Sequence, residues 1–389
     1  MSPVLVSILS ALIAFGVCLW THPYILRLAK LKHITDDPSA RKLQETPVPV
    51  MGGEVVGFGI LAAVLFARCF TECTEILPAL LSAILMLNIG FIDDTISLSK
   101  RVRFIVEILL SLLLIGNGYL IQDFHGLFGI HRIPYAISLP LTMVTVVGII
   151  NAINLIDGVD GLCSGFCVQA CSIFFVVFSL GGAWCWAILA LVSATAAIPF
   201  LLHNVFGKET HIYFGDGGTL MMGTLLSCFV IEVLRSASLS ANLRVLYPGA
   251  CLVALVMAIL AEPVVDCLRV MGWRMVKGLS PFRADRTHFH HLFTDARFSH
   301  PVTSLVIHTL NLLVVAAWYL SYRLGARMGV QFLVVIVVSF SLICGFYFWM
   351  SLERKANSHT YRRFVWLGIH SHFIRTRFWR RMRVLMDWM

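Results

Sequence analysis

Apolar runs long enough to cross a lipid bilayer recur along almost the whole chain. A transmembrane helix needs roughly 20 apolar residues, because the hydrocarbon core of a bilayer is about 30 Å thick. Of the 389 residues, 58% are hydrophobic and 13% are charged, whereas roughly 25% of a soluble domain is charged. The sequence therefore predicts an all-α polytopic integral membrane protein and excludes an ordinary soluble domain.

We predict about eleven transmembrane helices, near residues 3–22, 51–67, 76–92, 104–121, 139–156, 162–180, 183–202, 217–234, 248–268, 303–322 and 329–350. No small-residue cleavage site follows the first, which favours a retained helix over a signal peptide. Lys and Arg are in excess in the cytoplasmic loops of membrane proteins. If the N-terminus is external, 24 of the 30 Lys and Arg residues of this chain fall on the opposite, cytoplasmic side. The sequence thus predicts an external N-terminus and a cytoplasmic C-terminus.

The last 37 residues form a basic segment after the final predicted helix. We divide the chain into a membrane-embedded catalytic domain, 1–352, and a cytoplasmic tail, 353–389. The tail contains nine basic and two acidic residues, interleaved with Trp and Phe. Such a segment beside a membrane span is typical of contact with anionic lipid headgroups rather than nucleic acid.

The eleven cysteines lie mostly inside predicted helices. Cysteine in such places acts as a small apolar filler. Cys69 and Cys73 fall near the external face, without a CxxC or metal-ligand spacing. We expect neither a disulfide framework nor a zinc site from them.

Asp93 and Asp94 form an acidic pair at the cytoplasmic end of the third predicted helix. The helix macrodipole disfavours negative charge at a C-terminus. A solvated pair, neutralised by Lys100, Arg101 and Arg103, would explain the two residues taken alone. Further acids in neighbouring cytoplasmic loops favour a functional site.

Asn151, Asn154, Asp157 and Asp160 repeat at every third position after a long apolar run. In an α-helix, neighbours at this spacing share a face, and glycines after the two acids allow the helix to break. An interhelical hydrogen-bonding seam explains the asparagines. It explains the two carboxylates poorly, because intramembrane acids usually mark functional sites.

Asp216 lies in the motif "FGDGGT", where the eighth predicted helix begins. Glycines on both sides allow a ligand to approach the backbone closely, and a helix N-terminus offers free N–H groups to an anion. Mg²⁺ binds one or two carboxylates and completes its octahedron with water and substrate phosphates. The acids of three cytoplasmic loops therefore suit a metal ion with a phosphorylated substrate.

The longest internal loop, 269–302, concentrates basic and imidazole groups. Guanidinium groups bind phosphates bidentately, and imidazole donates to phosphate oxygen or titrates near neutrality. A solvated basic loop is the second interpretation, and zinc is the third, because suitable additional ligands are scarce. The residues concerned are Arg274, Lys277, Arg283, Arg286, His288, His290 and His291.

Acids that suit Mg²⁺ and bases that suit a diphosphate fall at the same predicted membrane face. This combination predicts phosphoryl transfer between a water-soluble nucleotide and a lipid, a reaction that depends on positioning and charge neutralisation. A proton- or ion-coupled transporter is the alternative of another class, since acids in membrane helices also mark ion pathways. It predicts acids near mid-membrane and inverted repeats, and the external side here has few polar groups.

Several motifs resemble one enzyme family in order and spacing. They are "DDPSARK", "PVPVMGG", "GFIDDTISLSKRVR", "NAINLIDGVDGL", "YFGDGGTLMMG" and "KGLSPFRADRTHFHH", between about Asp36 and His291. The family is that of the polyprenyl-phosphate N-acetylhexosamine-1-phosphate transferases. The last motif is more similar to the bacterial undecaprenyl-phosphate N-acetylglucosamine-1-phosphate transferases than to the phospho-N-acetylmuramoyl-pentapeptide transferases. Two positions depart from the family pattern: Arg283-Ala284 stands where the family has Ser-Pro, and Thr219 stands where it has serine. The first departure leaves the identity of the transferred hexosamine open.

The resemblance implies transfer of N-acetylhexosamine 1-phosphate, with GlcNAc as the default sugar, from a UDP-sugar to undecaprenyl or another polyprenyl phosphate. UMP is the second product, and the step begins a lipid-linked cell-surface glycan. The implied cofactor is Mg²⁺, with Mn²⁺ as the alternative. Implied partners are both substrates and membrane lipids, without nucleic acid and with a homodimer left open. The implied location is a bacterial inner membrane, with the site facing the cytoplasm.

The resemblance also implies roles for individual residues. Asp216 would be the main metal ligand, and Asp93 and Asp94 would support the metal or take the lipid phosphate's proton. Asp157 and Asp160 would belong to the nucleotide and metal site, with His288 as a further catalytic group. Either a single in-line attack or a covalent aspartyl intermediate on Asp93 or Asp94 could use these residues. Substrate binding is assigned to Lys42, Asn151, Asn154, Arg274, Arg283, Arg286, His290 and His291.

Overall fold

The computed structural model describes residues 1–36, 47–281, 286–371 and 376–388, which are mainly helical. The helices are α1 (Pro3–Leu31), α2 (Gly52–Arg68), α3 (Leu77–Ile96), α4 (Lys100–Gly116), α5 (Tyr135–Leu155), α6 (Leu162–Leu180), α7 (Trp184–Phe206), α8 (Gly215–Arg235), α9 (Ala237–Leu246), α10 (Leu252–Ile259), α11 (Ala261–Val276), α12 (Phe289–Asp295), α13 (His300–Arg323), α14 (Met328–Phe340), α15 (Phe346–Lys355), α16 (His359–His370) and α17 (Arg377–Trp388). A 3₁₀ turn covers Leu127–Gly129, and a π-helical turn, Ser341–Gly345, joins α14 to α15.

Eight helical segments in the described part of the chain are long and apolar enough to cross a membrane. They are α1, α3, α5, α6, α7, α8, α13 and the continuous segment 328–355. The predicted all-α polytopic class is confirmed at this level. Two of the other three predicted spans form 17-residue helices, α2 and α4, and the third is broken into α10 and α11. The predicted domain boundary at 352 falls inside the segment that ends at Lys355.

Pro263 contributes to the break between α10 and α11. Pro263 lacks an N–H group, and its ring would clash with the carbonyl of Ile259 in a continuous helix. Asn311 of α13 satisfies the freed backbone: its Nδ2 donates to Ile259 O at 3.0 Å and its Oδ1 accepts from Glu262 N at 3.0 Å. A broken helix is stable at membrane depth only when its backbone groups find such partners.

Helix α8 forms the centre of the bundle, and every residue from Gly217 to Leu234 is buried. Its first turn approaches α2 and α3 so closely that a Cβ at Gly53 would lie 2.2 Å from Gly218 N, and one at Gly90 would lie 2.3 Å from Gly217 N. Glycine is therefore required at these two contacts. They bring the start of α8 beside the acidic end of α3.

A short antiparallel ribbon fixes the first cytoplasmic loop to the loop before α8. Strand β1 (Thr35–Asp36) pairs with β2 (Val48–Pro49). Tyr213 N then donates to Pro49 O at 2.9 Å, and Gly52 N donates to Tyr213 O at 2.9 Å. Two loops that are far apart in the sequence thus frame one side of the site.

One disulfide bond, Cys73–Cys185, joins the α2–α3 connection to the first turn of α7. The expectation of no disulfide was wrong, because residues 112 positions apart leave no local spacing pattern to read. The interpretation of the remaining cysteines as fillers is confirmed inside the bundle, where most of the free ones are buried.

The tail packs against the membrane domain. Phe364 of α16 lies 5.7 Å from Phe293 and 5.0 Å from Phe298, ring centre to ring centre. Helix α17 contacts α7, where the Trp379 ring lies 4.5 Å from the ring of Phe206. The outward face of α17 exposes Phe378 and Trp388, which leaves that face available for the predicted lipid contact.

Candidate active site

A cavity of about 460 Å³ opens between the ends of α3, α5, α7 and α8, the α5–α6 turn and the histidine loop. This volume falls in the usual range for ligand sites, about 300–1,000 Å³. The cavity gathers eight of the predicted residues: Asp94, Asn154, Asp157, Asp160, Asp216, His288, His290 and His291. Residues from four separate motifs therefore form one site. The structure adds Asp36, Asn204, Tyr213 and His300 to its lining.

Asp94 caps the N-terminus of α8. Its Oδ1 accepts a hydrogen bond from Asp216 N at 3.0 Å, and its Oδ2 accepts one from Gly217 N at 3.3 Å. The first N–H groups of a helix lack internal partners, and the positive end of the helix dipole favours a carboxylate there. The expected conflict with the dipole of α3 is thus offset by the dipole of α8, and Asp94 holds Asp216 at the cavity wall.

Asp93 does not line the cavity, but its carboxyl group contacts that of Asp216. Its Oδ1 accepts from Leu98 N at 2.7 Å, and its Oδ2 lies 3.5 Å from Nη1 of Arg103. The same Nη1 lies 3.5 Å from Oδ2 of Asp216. Arg103 therefore shares its charge between Asp93 and Asp216, and Asp93 acts on the site through this arginine and through its own contact with Asp216.

The two asparagines form the interhelical seam that the sequence left open as an alternative. Asn154 Nδ2 donates to Asp216 Oδ1 and, at 2.8 Å, to Thr219 Oγ1. Asn151 Nδ2 donates to Glu107 Oε2 of α4 and lies outside the cavity lining. Substrate contact by Asn151 is therefore not supported, because its amide is committed to a neighbouring helix.

The two acids of the α5–α6 turn have different surroundings. Asp160 accepts from His300 Nδ1 at 2.8 Å and from His211 Nε2 at 3.3 Å. Burial opposes its ionisation, but these two hydrogen bonds outweigh burial and hold the pKa of Asp160 below its usual range. Asp160 is therefore an ionised structural anchor of the cavity.

Asp157 has no hydrogen bond to its carboxylate from any described residue, although the carboxylate is accessible from the cavity. The enclosing walls desolvate it, and the negative charges of Asp216 and Asp160 add to this effect, so that the pKa of Asp157 rises to about 7. An unpaired carboxylate beside another carboxylate is stabilised by a bound cation.

The histidine loop is organised by a buried acid of α11. Asp266 Oδ2 lies 2.9 Å from Nδ1 of His288, and Oδ1 accepts from Arg269 Nη2 at 2.6 Å and from Phe289 N at 3.1 Å. A hydrogen bond at Nδ1 fixes the orientation of an imidazole ring. The opposite nitrogen, Nε2, of His288 is thereby left for a ligand in the cavity.

His290 packs directly against the α5–α6 turn. A Cβ at position 158 would lie 2.4 Å from Nε2 of His290, so Gly158 is required for this contact. Burial and the neighbouring His291 lower the pKa of His290 well below its usual value, and burial with the charge of Arg286 lowers the pKa of His291 to about 4. Both rings are neutral at pH 7 and act as hydrogen-bonding groups.

Three of the predicted basic residues of this loop, Arg274, Lys277 and Arg286, are described by the structure, and none of them lines the cavity. Arg274 is buried and its Nη1 donates to Pro281 O at 2.6 Å. Arg286 pairs at the surface with Asp295, at 3.3 Å. Direct phosphate contact by these two residues is not supported, because both brace the loop. Lys42 and Arg283 lie outside the described residues.

The residues present fit a partial magnesium site. In the described ranges, no three Asp, Glu, His or Cys side chains converge as a complete metal-binding group. Mg²⁺ needs only one or two protein carboxylates, because water and substrate phosphates supply its other ligands. Asp157, unpaired and electrostatically coupled to Asp216, provides the chemistry for such a site.

Sequence reasoning missed Asp266, although a signal was present. Asp266, Glu107 and Glu54 all lie within predicted membrane spans, and acids at such positions indicate function by default. The same rule that marked Asp157 would have marked them. His300 offered no comparable signal, because its role depends on α13 folding back against the α5–α6 turn.

Residues 76–234 match the model of glycosyl transferase family 4. The matched segment contains Asp94, Asp157, Asp160 and Asp216, and the histidine loop follows it.

Curated relatives extend the match over more of the chain. The chain is similar to the probable undecaprenyl-phosphate N-acetylglucosaminyl 1-phosphate transferase of Bacillus subtilis (strain 168), at 27% identity over 306 residues, which covers 77% of this chain and 81% of the relative. It is also similar to the undecaprenyl-phosphate alpha-N-acetylglucosaminyl 1-phosphate transferases of Yersinia pestis, 28% identical over 68% of this chain and 71% of the relative, and of Escherichia coli (strain K12), 28% identical over 70% and 72%. The resemblance seen in the motifs is confirmed.

Proposed function

We propose that the protein transfers N-acetylhexosamine 1-phosphate from a UDP-sugar to undecaprenyl phosphate. The products are undecaprenyl-diphospho-N-acetylhexosamine and UMP, and GlcNAc is the sugar that the names of the relatives favour. The observation that carries the proposal is the single cavity in which Asp157 and Asp216 face His288 and its neighbours. That pairing of carboxylates with imidazole groups suits a metal-bound diphosphate.

The reaction needs one in-line displacement. An oxygen of the lipid phosphate forms a bond to the β-phosphorus of the UDP-sugar, and the bond from that phosphorus to the bridging oxygen breaks, so that UMP leaves. Mg²⁺, held by Asp157 and Asp216, would neutralise the charge of the diphosphate. His288 donates its Nδ1–H to Asp266, which orients the ring, and in the protonated ring Nε2–H donates a hydrogen bond to a phosphate oxygen.

The hydrogen bonds of the acidic pair favour direct transfer over a covalent aspartyl intermediate. Both oxygens of Asp94 accept backbone N–H groups of α8. Asp93 accepts from Leu98 N and contacts Arg103, outside the cavity lining. A carboxylate committed in this way is a poor nucleophile, so the pair positions Asp216 and Arg103.

We place the cavity at the cytoplasmic face of a bacterial inner membrane. The excess of Lys and Arg on the cavity side supports this orientation. Cys73 precedes the first turn of α3, whereas Asp94 lies in its last turn, about 30 Å away for a helix of that length. The disulfide and the cavity thus lie at opposite ends of α3, and disulfides persist in an oxidising periplasm rather than in the cytosol.

The purified protein in nanodiscs tests the proposal. With UDP-GlcNAc and undecaprenyl phosphate, we expect UMP to form only when both substrates and Mg²⁺ are present. Formation of UDP instead would indicate transfer of the sugar alone and would reject the proposal. The activities with UDP-GlcNAc and UDP-GalNAc are compared in the parent protein and in Arg283→Ser. This comparison tests whether position 283 selects the sugar. An ion-coupled transporter is not favoured, because the acids gather in one cavity at one face.

A further inference from the structure

Helix α17 is fastened to the loop between α7 and α8 by one carboxylate. Asp387 Oδ1 accepts hydrogen bonds from Lys208 N at 2.8 Å, Glu209 N at 3.0 Å and the Thr210 hydroxyl at 3.2 Å. Hydrogen bonds from several N–H groups to a carboxylate are among the stronger ones in proteins. The end of the tail is therefore docked at a defined place.

The loop that receives α17 is itself held rigidly. His203 Nδ1 lies 3.0 Å from the hydroxyl of Thr210, and His22 Nε2 lies 3.0 Å from its carbonyl oxygen. The two imidazole rings stack with centres 3.7 Å apart. Because α1 and α7 both fix Thr210, docking by Asp387 fixes the position of α17 relative to the bundle.

The docked helix closes one side of a second cavity, of about 500 Å³. This cavity shares Asp160, Asn204 and His300 with the acidic cavity, so the two are adjoining parts of one space. Its outer wall is formed by Trp379 and Arg383 of α17. The tail therefore contributes side chains to the region beside the candidate catalytic groups.

Arg383 is the informative residue of this wall. Its Nε is buried and has no hydrogen-bond partner among the described residues, and the side chain lines the cavity. The histidines opposite, His211 and His300, are already committed to Asp160. Arginine presents a fork of donors that suits phosphate and other oxygen-rich ligands. The second cavity thus offers the guanidinium group of Arg383, whose Nε has no partner among the described residues, to an anionic ligand.

We propose that α17 forms the outer wall of the donor nucleotide site and that Arg383 binds the uridine monophosphate part of the donor. This inference rests on the proposed function. The acidic cavity contains the groups that suit the reacting diphosphate, so the adjoining cavity receives the leaving part of the donor. A polyprenyl chain does not suit the second cavity, because Lys208, His211 and Arg383 place charged and polar groups in its lining.

The test compares variants on two faces of the same helix, in the full-length protein in nanodiscs. Arg383→Ala removes the proposed contact, and Arg381→Ala is the matched control, because Arg381 is exposed and does not line this cavity. Binding of UMP is measured by calorimetry, and KM is measured separately for UDP-GlcNAc and undecaprenyl phosphate. Thermal unfolding of each variant checks the fold.

We expect Arg383→Ala to weaken UMP binding and raise the KM for UDP-GlcNAc by about 10- to 100-fold, the usual cost of losing a hydrogen bond to a charged group. The KM for undecaprenyl phosphate and both constants of Arg381→Ala should stay unchanged. Arg383→Lys should bind UMP with intermediate affinity. Asp387→Asn, which weakens docking of α17, should raise the KM for UDP-GlcNAc by a smaller factor.

The outcomes separate the two proposals. If the parent protein forms UMP and Arg383→Ala binds UMP equally well, the tail is not part of the donor site, while the proposed function stands. If Arg383→Ala raises only the KM for undecaprenyl phosphate, the arginine binds the lipid phosphate and our assignment is wrong. If the parent protein neither binds UMP nor forms it, the proposed function itself fails.

Discussion

Asp266→Asn is the substitution that most directly probes how the histidine loop is organised. Asp266 is buried and binds three partners at once: His288, Arg269 and the N–H of Phe289. Asparagine has the same shape, but its NH₂ group cannot accept. The NH₂ group therefore faces either the Nδ1–H of His288 or the donors of both Arg269 and Phe289.

The magnitude follows from the contact that is lost. A hydrogen bond to a charged group contributes about 1.5–3 kcal/mol. If the lost contact is that of His288, the oriented ring population falls by about 10- to 100-fold, since 1.4 kcal/mol corresponds to a factor of ten. We expect kcat to fall by this factor. The KM for UDP-GlcNAc should change by less than about 3-fold, because the nucleotide part of the site is intact.

The assay is UMP release by the protein in nanodiscs, with thermal unfolding measured in parallel. Asp295→Asn is the matched control: Asp295 pairs with Arg286 and Arg354 near the surface of the same region, and its loss should leave kcat within about 2-fold, as surface pairs contribute little. Unchanged kcat in Asp266→Asn would refute the positioning role. If kcat and thermal stability fall together, the role of Asp266 is structural only.

Four further predictions follow from single contacts. Gly158→Ala should displace the imidazole ring packed against it, since the new Cβ would lie 2.4 Å from the ring, and should lower kcat while thermal stability is retained. Asp157→Asn should abolish the response of UMP formation to Mg²⁺, and a normal Mg²⁺ titration would refute its role. Cys73→Ser should lower thermal stability, because a disulfide closing a loop of about 100 residues contributes up to about 4.7 kcal/mol. The control Cys69→Ser removes a free cysteine and should leave thermal stability unchanged. Burial opposes ionisation of Asp387, but three backbone N–H groups outweigh burial and lower its pKa. Protection of the tail from protease should therefore persist down to pH 5 and be lost only below the usual pKa of aspartate, about 3.9. Loss of protection already at pH 6 would refute the docking.

Hydropathy and charge predicted the helices well, because each membrane helix must satisfy its own backbone and carry its own apolar surface. The break at Leu260 was not predicted, although Pro263 was visible in the sequence. Proline inside an apolar run does not by itself decide between a kink and a break. Here Asn311, about 50 positions later, supplies the partners that allow the break.

The acids of the site were predicted because charge in a membrane helix is costly and therefore informative. Their separate tasks could not be predicted. Asp94 caps a helix that begins over a hundred residues later, and Asp160 is ionised by two histidines from other loops. Such pairings depend on tertiary contacts. The tail illustrates the same limit: composition predicted a lipid-facing segment, whereas the structure also places one face of α17 against the site.

The central claim is that a sugar phosphate, rather than a sugar, is transferred at this cavity. The most direct measurement follows the label of UDP-GlcNAc that carries ³²P only in its β-phosphate. We expect all transferred label to be extracted with the lipid product and UMP to be unlabelled. The Asp157→Asn variant should form neither the labelled lipid nor UMP. Label that stays in a soluble nucleotide while the sugar enters the lipid would contradict it.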